Sequence, residues 1–164
     1  MGYPGGSRRR GAGHTPALHG STLGSGGRPC KNDLVTSPRS VLVVDDQAPF
    51  RAAARAVLRR LEGFEFAGEA SSGREAIDLV DRLHPALVLM DINMPEMSGI
   101  EATRQITAAH PDVVVILCST YDATDLPPAA SHSGATAYVN KERLASDTIR
   151  RLWEERDSGT FATC

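Results

Sequence analysis

Cysteine is scarce in this chain, long apolar runs are missing, and the first forty residues hold almost no acid. Each shortage excludes something. The three cysteines, Cys30, Cys118 and Cys164, are odd in number and irregularly spaced, which rules out a disulfide framework and a zinc pattern. Cys118 sits in an apolar run and is expected as a reduced core residue. No segment approaches about 18 consecutive apolar residues, so no transmembrane helix is expected. The N-terminus carries arginines without a following apolar stretch, which excludes a secretory signal. A reduced, cytoplasmic protein follows as the expectation. His84, His110 and His132 do not cluster in the sequence, and the first two precede prolines.

The shortage of acid is local. Residues 1–40 carry six basic side chains (Arg8, Arg9, Arg10, Arg28, Lys31, Arg39) against the single acid Asp33. Of the chain's 18 basic and 20 acidic residues, 12 and 19 are left for the remainder, a net −7 body beside a net +5 arm. Residues 1–38 are rich in Gly, Ser, Pro and Arg and show no apolar periodicity. Such a segment cannot bury enough apolar surface to offset its ordering entropy, so it is expected to be a disordered extension. Its "RRR" would suit nucleic-acid phosphates, and a solvated tail without a role is the plainer alternative. Val35 opens "VTSPRSVLVVDD", a short lead-in to the first strand, so whether residues 1–34 belong to the native protein stays open.

From Ser40 onward short apolar runs alternate with helical periodicity. With 41% hydrophobic and 23% charged residues the chain can bury a core. "VLVVD" is a β-branched run of the kind a strand buried on both faces requires. "PFRAAARAVLRRLEG" spaces Phe50, Ala54, Val57, Leu58 and Leu61 helically, with Arg51, Arg55 and Arg59 on the opposite face and Gly63 as the expected C-cap. "FEFAGEAS" alternates like a strand. "GREAIDLVDRLH" is a helix with Ala76, Ile77, Val80 and Leu83 inward, stopped by Pro85. "ALVLMD", "DVVVILCS" and "TAYVNK" supply strands three, four and five. "SGIEATRQITAAH" and "ERLASDTIRRLWEER" supply further helices, and "DSGTFATC" trails behind. The alternation predicts a parallel sheet covered on both faces, 39–157 being the folded domain and 158–164 a tail.

In such sheets ligands bind beyond the carboxyl ends of the strands. Asp45, Asp46, Asp91 and Ser119 all fall at strand ends, and Lys141 just past strand five. Singly each has an ordinary explanation: a helix cap for the acids, a turn for Ser119, a solvated helix start for Lys141, a half-buried strand position for Tyr138. Jointly they describe a site. Three adjacent carboxylates repel one another and call for a cation, and hard oxygen donors without Cys or His suit Mg2+. A carboxylate is also a nucleophile toward phosphorus.

The stretches "VLVVDDQ", "ALVLMDINMPEMSGIEATRQI", "VVVILCSTYD" and "GATAYVNK", in this order at strand ends, resemble the receiver domain of two-component response regulators. The resemblance covers about Val41 to Trp153. It implies a flavodoxin-like, doubly wound α/β fold with a five-stranded parallel sheet of order 2-1-3-4-5 and helices on both faces. It also implies Asp91 as phosphoacceptor, Asp45, Asp46, Asp91 and the backbone carbonyl of Asn93 around Mg2+, and Ser119 and Lys141 as the groups that meet the phosphoryl. Ser119 and Tyr138 match the switch pair. The implied function is phosphorelay signalling. A sensor histidine kinase would load Asp91, and helix four, strand five and helix five would control a downstream protein.

Two departures stand out. Glu142 follows Lys141 where many receivers have proline. "YDATDLPPAASHSG", Tyr121 to Gly134, is too polar and proline-broken for a full fourth helix, so that helix is expected to be short or irregular and weakly held. No helix-turn-helix pattern follows the last helix, so a stand-alone receiver is expected, monomeric or dimerising on phosphorylation, with neither nucleic acid nor membrane insertion. The alternative is a DNA-binding regulator lacking its output domain here or acting through the basic arm. A magnesium phosphohydrolase is disfavoured because Asn93 stands where a second acid would be needed. No phosphotransfer histidine is evident, and enzymatic activity beyond self-phosphorylation and dephosphorylation is not expected.

Overall fold

A computed structural model describes Gly2, residues 37–158 and residues 160–164. The chain divides into Met1–Leu34 and Val35–Cys164, and every element below lies in the second unit. The expected disorder of residues 1–38 and the reading of Cys30 fall almost wholly outside the described residues.

Six strands form one parallel sheet: β1 (Arg39–Val44), β2 (Phe64–Ala70), β3 (Leu87–Asp91), β4 (Val114–Ser119), β5 (Ala137–Asn140) and β6 (Ala162–Thr163), in the order β2-β1-β3-β4-β5-β6. Five helices connect them: α1 (Ala48–Leu58), α2 (Gly73–Leu83), α3 (Gly99–Ala109), α4 (Pro128–Ser131) and α5 (Ser146–Glu154). Alternation along the strands divides the core. Leu42, Val44, Val88, Met90, Val115, Leu117 and Tyr138 meet Ala76, Val80, Ala102 and Ile106 of α2 and α3. Val41, Val43, Leu87, Leu89, Ile116, Cys118 and Val139 meet Ala54, Leu58, Ile149 and Leu152 of α1 and α5. Because both faces are covered, the central strands β1, β3 and β4 read as apolar runs, whereas β2 at the edge keeps Glu65 and Glu69. Each large aliphatic side chain buried here contributes about 1.5–3 kcal/mol.

The sheet carries one more strand than the five expected. Part of the expected tail returns beside β5, with Ala137 opposite Ala162 and Tyr138 opposite Thr163. α1 ends at Leu58, not at Gly63. Gly63 instead takes a left-handed turn (φ +79) into β2, and its carbonyl accepts the Arg39 N–H at 2.9 Å. Arg51 and Arg55 do not stand free on the outer face of α1. Both fold onto Glu69 of β2, and the Arg55 guanidinium lies 4.5 Å from the Phe66 ring centroid. Leu83, expected inward, is 41% exposed at the rim. The last helix is split: Lys141–Arg143 form a 3-10 turn, and α5 begins only at Ser146. α4 is four residues long, as short as its prolines suggested. His84 and His110, distant in the sequence, come together with ring centroids 5.4 Å apart, and Asp81 Oδ1 lies 2.6 Å from His110 Nε2.

Candidate functional site

The register sets the site. Val44 of β1 pairs with Met90 of β3, so the next residues, Asp45 and Asp91, stand side by side at the carboxyl edge. Asp91 pairs with Cys118 of β4 and Ser119 pairs with Asn140 of β5, so Ser119 and Lys141 reach the same edge. Gly99 makes the approach possible from below. A Cβ there would lie 1.8 Å from the Asp91 carbonyl oxygen, and its own N–H donates to the Ile92 carbonyl at 2.9 Å. No larger residue fits between the start of α3 and the end of β3.

Asp45, Asp46 and Asp91 bring carboxylate oxygens within 4.8 Å of one another. Asp45 and Asp91 are 0% and 2% exposed, whereas Asp46 faces solvent. Lys141 Nζ bridges the buried pair, 2.6 Å from Asp45 Oδ2 and 2.9 Å from Asp91 Oδ1. The same ammonium lies 4.6 Å from the Phe50 ring centroid. The second oxygen of Asp45 accepts the Gln47 N–H at 2.8 Å, and Arg51 Nη1 donates to the Asp45 carbonyl at 2.7 Å. Asp45 therefore does turn-forming work with one oxygen and site work with the other.

Burial pushes the Asp91 carboxyl above its ordinary range. The hydrogen bond and charge of Lys141 pull it back only partly, and the Asp45 charge pushes the same way as burial. Burial alone would lower the Lys141 ammonium, but hydrogen bonds to Asp45 and Asp91 and their charges outweigh it, so its pKa stands above the usual lysine value.

Asn93, exposed, donates from Nδ2 to Ser119 Oγ at 3.2 Å. Tyr138 is fully buried, and its hydroxyl donates to the Tyr121 carbonyl and, at 3.3 Å, to that of Ser119. Desolvation raises its pKa. The buried ring thus lies beside the end of β4, its hydroxyl against the Ser119 carbonyl. All the sequence-derived site residues thus gather at one edge. Among the neighbours not foreseen are Arg51 on the Asp45 carbonyl, Phe50 under the Lys141 ammonium, and Asn140, whose Nδ2 donates to the Tyr121 carbonyl at 2.9 Å. Phe50 was read only as a core position, and Asn140 only as a strand end.

Among the described residues no helix is long and apolar enough to cross a membrane. Comparison with protein-family models matches residues 41–152 to the response regulator receiver domain. The chemotaxis protein CheY of Thermotoga maritima is 36% identical over 114 residues, 70% of this chain and 94% of that protein. The transcriptional regulatory protein DegU of Brevibacillus brevis is 31% identical over 121 residues, 74% of this chain and 51% of DegU. The chain thus spans about half the length of DegU, and likewise of the response regulator GacA of Pseudomonas viridiflava. Among solved structures, a two-component response regulator of the LuxR family from Aurantimonas sp. SI85-9A1 superposes with a TM-score of 0.67 at 27% identity, covering 77% of this chain and 89% of that one. With its fold, its edge of acids and these matches, the chain belongs to the response regulator receiver domain family.

Proposed function

We propose that Asp91 accepts a phosphoryl group from the phosphohistidine of a sensor kinase in a Mg2+-dependent reaction, and that the surface of α4, β5 and α5 passes the change to a downstream protein. The observation that carries this reading is the cluster of three carboxylates answered by one ammonium, two of the acids buried. Three negative charges against one positive leave two uncompensated, which is the charge of a divalent ion, and the donors are all hard oxygens. Asp45, Asp46, Asp91 and the backbone carbonyl of Asn93 are the groups that would hold it. Bound magnesium would supply neutralisation of the acids and of the incoming phosphoryl oxygens.

The remaining work falls to side chains. A carboxylate oxygen of Asp91 attacks phosphorus, a P–O bond forms, the P–N bond breaks, and the histidine nitrogen leaves with the electron pair. Lys141, already on Asp91, offers its ammonium to the phosphoryl oxygens, and Ser119 offers its hydroxyl. Their movement carries the loop after β4, whose Tyr121 carbonyl is held by Tyr138. That is a local charge biasing a coupled Ser–Tyr element. Chemistry beyond self-phosphorylation and dephosphorylation is not part of this reading. The basic arm, on which the DNA-binding alternative rests, lies outside the described residues.

Treatment with a small phosphodonor and magnesium, read by intact mass, should add one phosphoryl group. Asp91→Ala should abolish it and chelation by EDTA should suppress it. Full labelling of the alanine variant would falsify the assignment.

A further inference from the structure

The edge of β5 is covered by a piece of the chain that nothing in the phosphorylation chemistry requires. Phe161 to Cys164 lies along it, with the Ala162 N–H donating to the Thr136 carbonyl at 3.2 Å and the Cys164 N–H to the Tyr138 carbonyl at 3.0 Å. In return the Asn140 N–H donates to the Cys164 carbonyl at 2.9 Å. Phe161 packs against the core cluster that contains Leu126, Ala130 and Tyr138, whereas Ala162 and Cys164 pack against the other. A groove of about 220 Å³ runs between Phe161 and Thr163 on one side and Leu126, Pro127 and Pro128 on the other. A four-residue α4 leaves this part of the sheet thinly covered, and Phe161 supplies the apolar anchor there.

Asn140 connects this cover to the acid site. Its backbone N–H holds Cys164, its Nδ2 holds the Tyr121 carbonyl at 2.9 Å, and its Oδ1 accepts the Glu142 N–H at 2.9 Å. The Tyr121 carbonyl also takes the Tyr138 hydroxyl, and the Tyr121 N–H reaches Ser119 Oγ at 3.4 Å. The next residue is Lys141. Asn140 is therefore bonded to the loop that moves with Ser119 and joined covalently to the lysine that moves with the phosphoryl group.

We propose that residues 161–164 are a releasable cover on a strand-docking edge, and that Asn140 couples their release to loading of Asp91. This rests on the reading of Asp91 as phosphoacceptor. Drawing Ser119 and Lys141 toward a phosphoryl group shifts the Tyr121 carbonyl and the Asn140–Lys141 peptide together, and the Asn140 N–H leaves its place opposite Cys164. Few backbone bonds hold a two-residue strand, so losing one opens the edge. The edge then offers the Thr136 and Tyr138 carbonyls and an aromatic slot. The occupant that fits is an extended segment of a partner protein with an aromatic residue followed by small ones, paired parallel to β5 as the cover is.

Amide exchange by NMR on the full chain, with and without beryllofluoride and magnesium, tests this, with intact mass after phosphodonor treatment run in parallel. On loading, the Asn140, Ala162 and Cys164 amides should exchange at least tenfold faster. Asn140→Ala keeps the backbone donor but removes the coupling side chain, so loading should proceed while these amides stay slow. Phe161→Asp should leave them fast in both states and should bind a peptide of sequence TFATC, with shifts centred on residues 136–140. Loading without faster exchange, or equal release in Asn140→Ala, overturns the cover and leaves the phosphoacceptor reading intact. Absence of any loading at Asp91 overturns both. Peptide shifts elsewhere, or none, overturn the strand-docking edge, and a doubling of mass on loading with this edge buried assigns it to a second copy of the chain instead.

Discussion

At the scale of single residues, the site spends stability on chemistry. Asp91 is almost fully buried beside Asp45, and its carboxyl titrates above the ordinary range because of burial, against the pull of Lys141. A folded-state pKa above the unfolded one means that the folded protein holds this proton more tightly. The stability this gives is present at low pH and lost as pH rises from the ordinary value of 3.8 through the raised one. Asp91→Asn should therefore stabilise the metal-free protein at neutral pH, by on the order of 1 kcal/mol in urea unfolding, and the gain should shrink steadily toward acid pH. A gain that grows on acidification would contradict the burial argument. Gly99 works in the opposite direction. With an added Cβ 1.8 Å from the Asp91 carbonyl oxygen, Gly99→Ala must displace backbone, not the end of a flexible side chain. A loss of about 3 kcal/mol or more, with labelling of Asp91 impaired, is expected from denaturation and intact-mass measurements.

At the scale of elements, local signals set what was readable. Ser72 and Ser98 cap α2 and α3 by accepting the N–H groups of Glu75 and Glu101, at 3.2 and 3.3 Å. Each is followed three residues later by the glutamate whose N–H it accepts. Such starts are written in the sequence, and Ser72→Ala should cost about 1 kcal/mol in thermal or urea unfolding without affecting labelling. The central strands β1, β3 and β4 were as legible, since burial on both faces leaves short apolar runs, whereas β2 showed itself by alternation. What could not be read was decided by tertiary contact. α1 stops before Gly63 although its apolar spacing continues to Leu61, because the chain must turn to start β2. The last helix is split because the Asn140 side chain caps the Glu142 N–H and Leu144 returns to extended backbone. β6 has only two residues and no periodicity, and it exists through backbone bonds to β5. Arg51 and Arg55 could be placed only on the face opposite the apolar one, because Glu69, their partner, is on another element.

At the scale of the molecule, the acids were legible as a site because strand order in a doubly wound sheet puts chain-distant strand ends at one edge. Their partners were less so. Phe50 and Asn140 have no sequence signature, and their contacts depend on where Lys141 and the loop after β4 come to rest. The assembled edge concentrates three carboxylates around one ammonium, so the fold holds two uncompensated negative charges apart from any ligand. A cation that binds only this arrangement must stabilise the fold by mass action, by about 2.7 kcal/mol when present at a hundredfold over its dissociation constant. For a domain of this size that corresponds to a rise of roughly 10 °C in melting temperature. The rise should follow magnesium concentration, should not be reproduced by sodium at equal ionic strength, and should be strongly reduced in Asp46→Ala. Asp46 is the suitable control because it is exposed, so its removal takes a ligand from the cluster without opening a cavity in the core. If Asp46→Ala and the parent chain respond to magnesium alike, the ion is not held by these three acids, and the charge argument for the site fails with it.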